Sequence, residues 1–84
     1  MKLYLLSQND NTGYDTYDCC VVCAENEEDA KTIAPNGNIY SVPTKPYTAY
    51  SDWALSKETI LCEEIGEANK SQVRGVIIAS FNAG

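Results

Sequence analysis

The sequence contains no histidine. That absence removes imidazole acid–base catalysis, Ser-His-Asp and Cys-His nucleophile activation, and the histidine-ligated zinc hydrolases. Ser-Lys and paired-carboxylate mechanisms need local groupings that the chain does not offer, so an enzyme is not expected. Glycine is sparse and scattered: Gly13, Gly37, Gly66, Gly75 and Gly84 stand alone, with no phosphate-cradling fingerprint. Long apolar runs are missing as well. Leu3 to Leu6 is too short for the apolar core of a secretion signal, and no stretch reaches membrane-spanning length. A soluble, cytoplasmic protein is expected. Basic residues are few, six against twelve acidic ones, for a formal charge of −6. Such a field repels phosphate backbones and anionic lipid. Direct nucleic-acid binding and membrane binding are therefore not expected; a basic protein surface suits the charge better.

What is present describes a globular domain. Eighty-four residues, 44% of them hydrophobic, make one domain over 1–84 and too much apolar material for a disordered chain. A core this small is marginal. Four cysteines, Cys19, Cys20, Cys23 and Cys62, lie in β-branched apolar runs, where a free thiol behaves as a small hydrophobe. The spacing of Cys20-Val21-Val22-Cys23 matches a zinc knuckle or a redox pair. A Val-Val strand dipeptide would instead send the two thiols to opposite faces. Reduced thiols, no metal and no cofactor are expected.

Along the chain, Leu3 to Ser7 and Tyr17 to Ala24 read as strands joined by the turn-rich loop Asn9 to Asp15. Asn26 is a good N-cap, followed by Glu27, Glu28 and Asp29 in a first turn that favours negative charge. Ala30, Ile33 and Ala34 supply a narrow apolar stripe, and Pro35-Asn36-Gly37 predicts the end after about two turns. Ile39 to Val42 reads as a short strand or loop, Thr44 to Tyr50 as a long loop, and Ser51-Asp52 as the cap of a turn bearing Trp53 and Leu55. Thr59 to Ile65 and Gly75 to Phe81 complete the strands. The expected fold class is α+β: a small antiparallel sheet of about four strands in the order β-β-α-loop-β-β, with one short helix packed on a face. Exposed edges in so small a sheet predict a homo-oligomer, with Gly75 to Phe81 or Tyr40 to Trp53 at the interface.

Two loops combine aromatic rings with hydrogen-bonding groups. Aligning Gly13 of the first with the glycine of a calcium-binding EF-hand puts Gln8 at the first ligand position and Cys19 at the twelfth, which rules that reading out. Rigid tyrosines on loops make good contact residues. Tyr14, Asp15, Tyr17, Tyr47, Arg74 and Asn82 are accordingly the candidate binding residues, with Arg74 or a lysine as the group for a phosphate. For the tyrosines the alternative is that they seal the sheet.

Tyr14-Asp15-Thr16-Tyr17-Asp18 ahead of a Val-rich strand, the acid-capped helix, and the ending Gly75-Val76-Ile77-Ile78-Ala79-Ser80-Phe81-Asn82-Ala83-Gly84 resemble the short accessory proteins encoded by bacteriophages and prophages. The resemblance spans nearly the whole chain outside Tyr40 to Trp53, and it assigns no role to any residue. It implies a setting: small phage proteins of this size often antagonise a host factor, including the defence machinery, from the host cytoplasm. Two mechanisms fit, occlusion of a host protein or sequestration of a nucleotide-derived immune signal. A structural accessory of the phage particle is the alternative.

Overall fold

The computed structural model describes residues 1–40 and 52–82. Four strands, β1 (Lys2–Ser7), β2 (Thr16–Ala24), β3 (Leu61–Glu67) and β4 (Gly75–Asn82), form one antiparallel sheet in the order β3-β1-β2-β4. A short helix, α1 (Glu27–Ala30), and a 3₁₀ turn over Lys57–Thr59 complete the elements. Over the described residues the fold is a small α+β sheet with one short helix, as the residue patterns predict.

Period-two alternation explains which face is covered. In β1, Tyr4 and Leu6 are buried while Leu3 and Leu5 are only half-buried. Tyr4 and Leu6 join Cys20, Val22 and Ala24 of β2, and Ala30, Ile33, Trp53, Ala54 and Ile60 close over them as one core. β2 lies between β1 and β4, so its lack of clean polar alternation reflects a central position. Cys20 enters the core, whereas Cys23 packs with Met1, Sγ to Sδ 3.9 Å. The odd separation does put the two thiols on opposite faces.

The helix is shorter than the sequence predicts, one turn instead of two. Asn26 caps it, accepting the Asp29 N–H at 2.8 Å. Beyond Ala30 the bonds tighten: Thr32 and Ile33 donate to the carbonyls of Asp29 and Ala30, three residues back. Pro35 disfavours helix at Ala34, whose N–H turns to the Asn38 carbonyl. Gly37, at φ 91°, takes the chain round so that Ile33 bridges Ile39. Two β-branched residues followed by proline favour that small hairpin over a second helical turn. β3 likewise begins two residues later than Thr59, because Ser56 caps the 3₁₀ turn that Thr59 closes.

Candidate functional site

At the β1–β2 end of the sheet, one buried glutamine organises the whole connection. Gln8 follows β1 and is 6% exposed. Its amide nitrogen donates to the carbonyls of Asn11 and Tyr17, each at 2.8 Å. Its Oε1 accepts the N–H groups of Asp10 and Asn11 at 3.0 and 2.9 Å. Both polar atoms of one side chain therefore pair part-buried loop backbone groups. The same loop is stitched to the segment before β3. Asn11 Nδ2 donates to the Trp53 carbonyl at 2.8 Å, and the Asp10 carboxylate accepts the Leu55 N–H at 3.3 Å and the Thr59 hydroxyl at 2.6 Å.

The outer half of the loop is held from the opposite side by β4. Thr16, 3% exposed, donates its hydroxyl to the Gly13 carbonyl at 2.6 Å. Asp15 sits at φ 60°, a left-handed conformation that a short polar side chain tolerates. Its N–H donates to the Asn82 carbonyl at 2.6 Å, and Asn82 Nδ2 reaches the Gly13 carbonyl at 3.4 Å. Tyr17 stacks at a tilt against Phe81, ring centroids 4.8 Å apart. Between these fixtures Tyr14 stands out, 78% exposed.

Four of the six candidate residues, Tyr14, Asp15, Tyr17 and Asn82, thus meet at one end of the sheet. Arg74 does not join them in this chain. It precedes β4 at the far end, where its Nε lies 3.0 Å from both oxygens of Asp29 and its Nη2 donates to Asp29 Oδ1 at 2.8 Å and Thr32 Oγ1 at 3.0 Å. That pair holds α1 to the sheet. Tyr47 lies outside the described residues. Phe81, which follows a clear strand signal and is expected with Asn82 to join the loops at one end of the sheet, lies there against Tyr17. Gln8 belongs to the site yet carried no separate signal, because a polar residue before a loop has nothing to mark its partners.

The electrostatics are those of an acidic surface. Lys2, Lys31, Lys57 and Arg74 each pair with a carboxylate, of Glu64, Glu27, Glu28 and Asp29 in turn. The Arg74 guanidinium, with the Glu25 backbone N–H, holds the Asp29 carboxyl below the usual aspartate range. Stability drawn from a lowered carboxyl is complete at neutral pH and is lost as pH falls through and below that range, near 4. Asp29→Asn should accordingly be less stable than the parent at pH 7, with the difference shrinking below pH 4. Urea melts across that window check it; a difference constant with pH would show that the ion pair contributes nothing. Burial pushes the Cys20 thiol up to about 12 and raises that of Cys62, which disfavours the thiolate at both. Among the described residues no three metal-ligating side chains converge. No described helix is long and apolar enough to cross a membrane.

Compared with protein-family models, curated proteins and solved structures, the chain matches none.

Proposed function

We propose that this chain is a non-catalytic binding protein whose Tyr14 end occludes a surface of another protein. The sequence resemblance suggests the setting, a phage-type antagonist of a host factor and of host defence in particular. One observation carries the reading: a tyrosine 78% exposed at the tip of a loop whose backbone is fixed from both sides. A large ring presented on a pre-ordered loop gains contact area at little entropic cost on binding. Asp15 and Asp18, both exposed, place negative charge beside it, which favours a basic partner surface. Sequestration of a nucleotide is less well supported, because the arginine suited to a phosphate is engaged by Asp29 at the other end.

The test begins with affinity purification from host cells, comparing the parent chain with Tyr14→Ala and Asp15→Ala. A host protein retained by the parent should bind Tyr14→Ala at least ten-fold more weakly, about 1.4 kcal/mol, with little change in melting temperature. A partner that binds both variants like the parent would refute the site. A nucleotide retained in place of a protein would replace occlusion with sequestration.

A further inference from the structure

Of the seven asparagines in the sequence, Asn36 alone precedes a glycine. Glycine has no Cβ to shield its own backbone nitrogen, so in Asn-Gly that nitrogen can reach the side-chain carbonyl carbon before it. Asn36, Gly37 and Asn38 are all exposed, which gives water and base access to the pair. Asn36 Oδ1 accepts the Asn38 N–H at 2.9 Å, and its Nδ2 donates to Asp52 Oδ2 at 3.5 Å. The first bond folds the side chain back along its own backbone, toward the Gly37 nitrogen. It also draws electron density from Cγ and stands ready for negative charge that develops on Oδ1. The second bond is long, so little holds the amide nitrogen that would have to depart.

We propose that Asn36 is a site of spontaneous modification, converting to aspartate and isoaspartate through a cyclic imide closed by the Gly37 nitrogen. Hydroxide takes the Gly37 N–H proton, and the nitrogen attacks Asn36 Cγ. The N–Cγ bond forms, Oδ1 carries the charge beside the Asn38 N–H, and the Cγ–Nδ2 bond breaks. Nδ2 takes a proton from water, which restores the hydroxide, and leaves as ammonia. A second water then opens the imide. Addition at Cγ breaks the new N–Cγ bond and leaves aspartate. Addition at the main-chain carbonyl carbon of residue 36 breaks the original peptide bond and leaves isoaspartate, with the chain running through Cγ. One water is consumed, one ammonia is released, and nothing is oxidised or reduced.

The fold sets both the pace and the consequence. The Gly37 N–H is donated to the Ala34 carbonyl at 2.9 Å, so the turn must open before the nitrogen can react. Holding that one backbone bond makes the folded chain slower than the unfolded one by roughly two- to ten-fold. Aspartate at position 36 sets a carboxylate against Asp52 where an amide had donated. Isoaspartate disturbs more, because its extra backbone methylene lies inside the turn. Around that turn Ala34 donates to the Asn38 carbonyl at 2.9 Å, Tyr40 donates to the Thr32 carbonyl at 2.8 Å, and Ile33 bridges Ile39. A longer backbone there shifts the register of the small hairpin that seats Ile33 in the core. The reaction stands whether or not the Tyr14 end binds a host protein.

Ageing the full chain at mildly alkaline pH, with peptide mapping by mass spectrometry, decides it. The peptide that spans Asn36 should gain the mass of an acid in place of an amide and separate into aspartyl and isoaspartyl products. The other six asparagines should convert at least ten-fold more slowly, a barrier difference of about 1.4 kcal/mol. The same chain held unfolded in urea should convert at Asn36 roughly two- to ten-fold faster than the folded one. In the isoaspartyl fraction, hydrogen exchange at the Ala34, Gly37 and Tyr40 amides should quicken while the β1 amides stay protected. Asn36→Gln, whose longer side chain would have to close a six-membered ring, should gain no mass at that position. An Asn36 that stays unconverted in the aged folded protein, conversion to aspartate without isoaspartate, a rate unchanged by urea, or a mass gain at position 36 in Asn36→Gln would each overturn the proposal. If Asn36→Gln does not fold, the products of the parent still decide, because direct hydrolysis of the side-chain amide yields no isoaspartate.

Discussion

Replacing Trp53 by alanine should leave a chain that barely folds. Trp53 is 2% exposed and is the largest fully buried side chain, closing the core over Leu6, Cys20, Val22, Ile33 and Ile60. Truncating a buried tryptophan removes its transfer free energy and leaves a cavity, together about 3–5 kcal/mol. Domains hold roughly 0.05–0.15 kcal/mol per residue, so 84 residues retain about 4–13 kcal/mol in total. The substitution therefore removes a large share of the stability, and the neighbours offer little to refill the space. Ala54 and Ala30 beside it are small, and Ile60 and Ile33 are β-branched and stiff. Urea unfolding at one fixed protein concentration measures it, since any self-association would add a concentration-dependent contribution. A loss below about 1 kcal/mol would mean that the covering segment is not seated on the sheet as described.

Gln8→Ala should cost about 2–4 kcal/mol, more than its four deleted side-chain atoms beyond Cβ suggest. Two carbonyls and two N–H groups lose their partner at once, and each buried orphan costs about 1–3 kcal/mol unless water reaches it. Partial hydration of the opened loop sets the lower figure. Gln8→Glu separates the two halves of the network. It keeps acceptors for Asp10 and Asn11 but loses the donor to Asn11 and Tyr17, and it should fall between alanine and the parent near or below pH 4, where the carboxyl regains a proton. Thermal melts give the stability. Proton exchange at the amides of residues 10 to 17 shows whether the Tyr14 loop has been released. A melt unchanged by Gln8→Ala would refute the pinned loop on which the binding site depends.

Much of this structure is legible in short-range chemistry. β-branched runs at residues 17–24 and 75–81 mark strands because neighbouring residues alone dictate extended backbone there. Asn26 and the three acidic residues after it mark a helix start for an equally local reason, the unpaired N–H groups of the first turn. The helix end was less legible. Whether Thr32 and Ile33 continue a helix or return against Ile39 depends on a carbonyl at Asn38 and a sheet surface beneath, both non-local to the helix pattern. Tyr14 was readable as a loop aromatic, but nothing in its neighbours shows that Asn82, sixty-eight positions later, would fix the adjacent backbone.

Composition and local pattern determined by themselves that histidine-based catalysis is excluded, that the class is α+β, and that the chain is acidic. These properties are sums or neighbour effects, and no fold is needed to evaluate them. Only the tertiary structure decided that β3 returns beside β1, that α1 stops after one turn, and that Arg74 is committed to Asp29 while Asp15 meets Asn82 at the opposite end. Strand order places those pairs, and strand order is chosen by the burial of one shared face over the whole chain. The same order left β4 on an edge. A neutral apolar strand reads alike in sequence at the centre or at the border of a sheet, and its position alone turns it into a surface.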